Sequence, residues 1–301
     1  MIGLLTLLLT GLALLWLLGV AFVVWMLTHP PRRTYATAVA RGVPGDPSEM
    51  ASGSRAFEAW AFRGRGLEFP VWDVPGDKAG GPVVIMTSGW ADSRVGGLVR
   101  LGCVLPSASR VILWDMPGHG EAPGICRLGV SEVDDLLALI EHLKVKRPVL
   151  FGWSLGAGVS IAAAARLGDS IGGVIAETPY RMARTPARNV MRLRGLPDGI
   201  LIGPAFAVLR AMLGNGLSDE SFDRATLAAK VTVPVLVAHG DADEVCPVED
   251  GRAIAAACEG EMIVVPGGKH NDLWTEPRNA AVISARIADF IAARGSGSPV
   301  T

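Results

Sequence analysis

The chain has 301 residues, 50% of them hydrophobic, and its 28 basic and 29 acidic residues leave a formal charge of −1. That length suits one large α/β domain or two small ones, and the balanced charge offers no electrostatic footing for nucleic acid. Cys103, Cys126, Cys246 and Cys258 show no CxxC or metal-ligand spacing, so they imply neither a metal site nor a particular redox compartment.

Residues 2–28 carry no charge and are rich in Leu, Val and Trp. As a helix they would span about 40 Å, more than the roughly 30 Å of a bilayer's hydrocarbon core. Residues 1–29 therefore read as a single transmembrane anchor. The rival reading, a cleaved signal peptide, lacks a basic start and has too long an apolar run. No Lys or Arg precedes the segment, whereas Arg32, Arg33 and Arg41 follow it, which predicts a cytoplasmic catalytic side. Residues 30–54, rich in Pro, Gly, Ser and Ala, read as a flexible linker.

Residues 55–294 have the rhythm of one α/β domain. Ala56–Phe62 and Leu67–Val74, joined by Arg63-Gly64-Arg65-Gly66, predict an antiparallel hairpin. Further strands are expected at Pro82–Met86, Arg110–Trp114, Arg147–Phe151, Ile171–Ala176, Val233–Ala238 and Met262–Val265. Helical spacing marks Val130–Leu143, Val159–Leu167, Val248–Cys258 and Ala280–Ala293. Alternating β and α units imply a mostly parallel, doubly wound sheet with helices on both faces. Residues 178–229 are too long for a plain crossover and predict a small helical lid; residues 295–301 predict a disordered tail.

Phe151-Gly152-Trp153-Ser154-Leu155-Gly156 joins a predicted strand to a predicted helix. A serine at the apex of so tight a turn needs neighbours without a Cβ, and Gly152 and Gly156 supply them. In a doubly wound sheet, functional groups collect on the loops at the carboxyl ends of the strands. Those loops hold Thr87-Ser88-Gly89-Trp90, Asp115-Met116-Pro117-Gly118-His119-Gly120, the Ser154 turn, Glu177, His239-Gly240-Asp241-Ala242-Asp243 and Gly268-Lys269-His270. A hydroxyl, a carboxylate and an imidazole thus follow one another in the order Ser, Asp, His.

On these motifs the stretch from about Phe57 to Ala293 resembles an α/β-hydrolase. The ending His270-Asn271-Asp272-Leu273-Trp274, with the N-terminal apolar helix, is similar to the membrane-anchored branch that includes protein depalmitoylases (acyl-protein thioesterases). The chain carries Ser88-Gly89-Trp90 where those relatives usually carry His-Gly-x, a departure that touches the oxyanion side.

The resemblance implies a serine hydrolase acting on carboxylic esters or thioesters of an apolar acyl group, without cofactor or metal. Ser154 would be the nucleophile and His270 its base. Asp243 would orient His270, with Asp241 and Glu177 as competing acids. Asp243 is preferred because it holds the resembled position, three residues before Cys246-Pro247. The backbone N–H groups of Trp90 and Leu155 would bind the oxyanion. Ser154 as an ordinary helix cap, a non-catalytic membrane-tethered scaffold and an acyltransferase with the same triad remain open readings. Oligomeric state is not legible in the residues. Arg181, Arg184, Arg188 and Arg192 recur at helical spacing and present either a solvated stripe or a surface for anionic headgroups.

Overall fold

The structure is a computed structural model and describes residues 2–214, 217 and 222–295; of the tail expected at 295–301, residues 296–301 lie outside them. Short apolar runs bounded by Gly, Pro, Asp and Ser form the strands β1 (Glu58–Gly64), β2 (Leu67–Pro75), β3 (Val83–Thr87), β4 (Arg110–Trp114), β5 (Val149–Trp153), β6 (Gly173–Glu177), β7 (Val235–Gly240) and β8 (Glu261–Val265). They make one sheet in the order β1-β2-β4-β3-β5-β6-β7-β8. The β1–β2 and β2–β4 pairs are antiparallel and all others parallel.

The central strands are apolar on both faces because both are covered. Alternate side chains go to opposite sides. Val84 and Met86 pack with Val95, Leu98 and Leu101 of α3 (Arg94–Val104) and with Ile283 and Ile287 of α10 (Pro277–Ala292). Ile85 and Leu150 face the other way, towards α4 (Glu132–Leu143) and α5 (Leu155–Leu167), with α8 (Arg224–Ala228) and α9 (Val248–Ala257) on the same side. Each such Leu, Ile or Val contributes about 1.5–3 kcal/mol by leaving water.

Two local patterns hid structure. Helix α3 begins at Ser93, whose Oγ accepts from Val95 N–H at 3.2 Å. Its Gly96-Gly97 pair lowers helix propensity, but packing demands it: a Cβ on Gly97 would lie 2.3 Å from Leu113 Cδ2. The stretch expected to be a flexible linker is also different in the structure. It holds α2 (Tyr35–Val39), capped by Thr34, and is tied to the domain. Arg32 Nη1 donates to the carbonyl of Ala122 at 2.7 Å, Ser93 Oγ donates to the Arg33 carbonyl at 2.6 Å, and Ala38 and Met50 are buried. Proline and glycine content marked the absence of long elements, not the absence of contacts.

Helix α1 (Ile2–Thr28) is long and apolar enough to cross a membrane, with its first two-thirds exposed. Its last turns are buried against the domain through Val20, Val23 and Leu27. Between β6 and β7 lie α6 (Arg184–Leu193) and α7 (Asp198–Leu213), and α7 runs against α1. Trp16 Nε1 donates to the Ile200 carbonyl at 3.1 Å, and Gly19 faces Leu201 so closely that a Cβ would sit 3.1 Å from its Cδ2. The arginine stripe is largely consumed by ion pairs. Arg181 binds Asp223, while Arg188 and Arg192 share Asp198 Oδ2 at 3.6 and 3.1 Å.

Candidate active site

Strand β5 runs into α5 through Ser154, held at φ 51° and ψ −114°. A non-glycine residue there stores about 1–3 kcal/mol of strain, which the surrounding backbone must overcome. Ser154 N–H donates to the Glu177 carbonyl at 2.9 Å, fixing the apex against β6. Its side chain makes no helix-capping hydrogen bond. The flanking glycines are sterically required. A Cβ on Gly152 would lie 2.1 Å from the Gly156 carbonyl oxygen, and one on Gly156 would lie 2.0 Å from that of Thr87. Gly156→Ala is therefore expected to cost about 1–3 kcal/mol, read as a lower urea midpoint.

Two other strand-end loops come together at Ser154. A Cβ on Gly240 would lie 2.1 Å from the Gly268 carbonyl oxygen, so the loops after β7 and β8 touch backbone to backbone. Ala242 N–H donates to that same carbonyl at 3.0 Å. This contact brings Asp243 and His270 together: His270 Nδ1 lies 2.8 Å from Asp243 Oδ2, and His270 Nε2 lies 3.1 Å from Ser154 Oγ. Asp243 Oδ1 accepts the backbone N–H groups of Val245 and Cys246, each at 2.8 Å. Burial opposes its charge, yet the hydrogen bonds from His239, His270 and the Cys246 amide hold the carboxyl well below the usual carboxylate range. Among these bonds the His239 one is the longest, since Nε2 stands 3.4 Å from Asp243 Oδ2 and only 2.8 Å from the Cys246 carbonyl.

The competing acids are occupied elsewhere. Asp241 Oδ1 accepts from Gly267 N–H at 2.6 Å, closing the β7–β8 loop pair. Glu177 Oε2 accepts from Arg100 Nε at 2.9 Å and from Trp274 Nε1 at 2.7 Å. Asp272 Oδ1 accepts from Lys269 N–H at 2.7 Å and Asn279 Nδ2 at 3.1 Å, bracing the loop that carries His270.

Reading along the chain missed Cys246 and Asp92. Donor atoms of Asp243, Cys246 and His270 lie within 4.8 Å of one another. Burial pushes the Cys246 thiol well above its usual value, and Asp243 is already saturated by donors, a poor set for a cation. Asp92 Oδ2 accepts from Trp153 Nε1 at 2.9 Å and so ties the Trp90 loop to the elbow strand. The signal for Cys246 was its place beside the acid in sequence; nothing local marked Asp92.

Gly89 packs against the elbow, where a Cβ would meet Ser154 Cβ at 3.3 Å. Trp90, next in the chain after Gly89, lines the same cavity as Ser154 and as Leu155, the first residue of α5, whose N–H has no partner within the helix. Ser154 and His270 open onto a cavity of about 500 Å³. Its buried walls include Leu27, Leu155, Tyr180, Ala187 and Leu273, so the end of α1 and helix α6 both shape it.

The loop after β4 serves structure. His119 is fully buried, with Nδ1 at 2.9 Å from the Pro117 carbonyl, and burial drives its pKa down to about 4. The unfolded chain takes up a proton at about 6.5, so stability present above that pH is lost as pH falls, on the order of 2 kcal/mol by pH 5. Asp115, raised by burial to about 6, has the opposite sign in the same window. His119→Asn is therefore expected to lose less stability than the parent between pH 7 and pH 5, measured by urea midpoints at both pH values.

The alpha/beta hydrolase family matches residues 74–286, well over half of the chain, and the chain belongs to that family. Among relatives, the biotin biosynthesis bifunctional protein BioHC of Cellvibrio japonicus is 40% identical, covering 69% of this chain and 47% of that protein. The chain thus spans about half the length of that relative. The pimeloyl-[acyl-carrier protein] methyl ester esterase of Chromobacterium violaceum is 28% identical over 58% of this chain and 81% of its own length. An esterase of Pyrococcus furiosus shares the fold with a TM-score of 0.68 at 19% identity, covering 90% of this chain and 98% of that one.

Proposed function

We propose that this protein is a membrane-anchored serine hydrolase that cleaves carboxylic esters or thioesters of an apolar acyl group through an acyl-enzyme. The observation that carries the reading is the continuous proton path Asp243–His270–Ser154, with links of 2.8 and 3.1 Å, opening onto a cavity whose buried walls are largely apolar. Ser154 Oγ attacks the acyl carbon while its proton passes to His270 Nε2. The oxyanion is met by the N–H groups of Leu155 and Trp90, the first favoured by the positive end of α5. Collapse breaks the bond to the alcohol or thiol, which leaves with the proton from His270. Water then repeats the sequence on the acyl-enzyme, giving up its proton to His270 and releasing the acid and free Ser154.

Asp243 keeps the His270 ring turned and balances the imidazolium formed in each half-reaction. Backbone donors accept any side chain, so Ser88 in place of histidine is compatible with the oxyanion site. The exposed, uncharged length of α1 supports single-pass anchoring, and Arg32, Arg33 and Arg41 support a cytoplasmic domain. The depalmitoylase-like branch is consistent with the His270–Trp274 ending and the anchor. A methyl ester esterase among the relatives supports ester cleavage. The test is labelling of the full chain in detergent by a fluorophosphonate probe. The parent should label and Ser154→Ala should not; a folded parent that fails to label overturns the proposal.

A further inference from the structure

We propose that the mouth of the cavity binds a phosphate-type anion, so that the substrate is an acyl ester or thioester whose leaving group carries that anion. The proposal rests on Ser154 being the nucleophile only for the direction in which the substrate lies. Among the described residues, the lining holds Arg32, Arg33, Arg41, Arg100 and Arg194 and two carboxylates, Asp92 and Glu177. Both carboxylates are spoken for, Asp92 by Arg33 at 3.1 Å and Glu177 by Arg100. Among the described residues, Arg32, Arg41 and Arg194 have no carboxylate within ion-pair distance. Arg32 Nη1 reaches only the carbonyls of Gly120 and Ala122, and Arg194 Nη1 meets Met26 Sδ at 3.4 Å.

Position then sorts the two ends of a substrate. The three unpaired arginines are exposed, whereas Leu27, Leu155, Tyr180 and Leu273 are buried. An acyl chain belongs on the buried apolar walls, and a charged group that stays partly hydrated belongs at the rim. Arg194 lies over the Trp90 ring at 5.6 Å, and Trp90 Nε1 donates to the Leu27 carbonyl at 3.0 Å. Arg194 therefore stands beside a residue that lines the same cavity as Ser154. Guanidinium groups match phosphate oxygens in geometry, and a concave site focuses their field. Membrane topology explains arginines next to an anchor, such as Arg32 and Arg41, but not Arg194, which the lid supplies at the end of α6.

The experiment measures binding without turnover. Ether-linked hexylglycerol phosphate and hexylglycerol, which cannot be cleaved, are titrated calorimetrically into the full-length Ser154→Ala protein in detergent. The phosphate form is expected to bind about tenfold to hundredfold more tightly at low salt, an advantage that shrinks as salt is added. In the background of Arg32→Gln, Arg41→Gln and Arg194→Gln together, the ratio of the two affinities should fall towards one. Equal affinities in the parent, or an unchanged ratio in the triple variant, overturn the proposal. Turnover by the active protein then names the source of the anion: preference for a lysophosphatidate points to a lipid headgroup, and preference for an acyl thioester of a phosphorylated thiol points to a soluble carrier. Selective binding without cleavage of either would sink the hydrolase reading and leave the anion site standing. Cleavage of neutral esters with no gain in binding from phosphate would do the reverse.

Discussion

On the proposed mechanism, Ser154→Ala is expected to lower kcat for ester hydrolysis by about 10⁶-fold, and His270→Ala by a similar factor, because a nucleophile and its base act as a unit. The double variant should be scarcely worse than either single one. Asp243→Asn should cost less, on the order of 10⁴-fold, since Ser154 and His270 remain but the ring loses the partner that fixes its tautomer. Two backbone amides at 2.8 Å hold the Oδ1 position, so the asparagine keeps its carbonyl oxygen there and turns its NH2 donor to His270 Nδ1, which selects the wrong tautomer. Steady-state kinetics on a soluble short-chain ester, with circular dichroism to confirm folding, checks all three. Strictly multiplicative losses in the double variant would show that the two side chains do not share one proton path.

Glu177→Leu is expected to destabilise the domain by about 3–5 kcal/mol, a large part of the 5–15 kcal/mol available to a typical protein. The Glu177 and Arg100 side chains are only 2% and 8% exposed. Arg100 also donates from Nη1 to the Gly96 carbonyl at 2.8 Å and stacks over the Trp153 ring at 4.0 Å. Removing Glu177 leaves that guanidinium buried without its counter-charge and frees the Trp274 indole N–H. Arg100→Leu combined with Glu177→Leu should recover most of the loss, because both charges then vanish from the interior. Urea unfolding of the single and double variants decides. A single-variant loss below about 1 kcal/mol, or additive losses in the double, would show that the pair contributes little.

The elbow was legible in the residues because its constraint is local. Gly152 and Gly156 stand two positions either side of Ser154; the reason for Gly152 lies in the turn itself, where its Cβ would meet Gly156, while Gly156 answers to Thr87 on the neighbouring strand. The hairpin at Leu67 and the buried strands were legible for the same reason, through alternation and short apolar runs bounded by turn residues. Helix α3 was not, since Gly96 and Gly97 answer to Asp92 and Leu113, which lie outside the helix. The arginines on and around α6 read as a stripe; their carboxylates sit at Asp198 and Asp223, beyond that helix.

Local order in the chain determined the strand and helix periods, the turn that presents Ser154, and the succession of a hydroxyl, a carboxylate and an imidazole on strand-end loops. Which carboxylate meets His270 was decided in three dimensions. The contact between Gly240 and Gly268 sets Asp243 beside the ring, while Asp241 turns to Gly267 and Glu177 to Arg100. The docking of α1 on α7, and the gathering of Arg32, Arg41 and Arg194 around one cavity, were decided there too. Side-chain periodicity reports which face of an element is buried; it carries no information about which distant residue will be its neighbour, because that depends on how the sheet is wound.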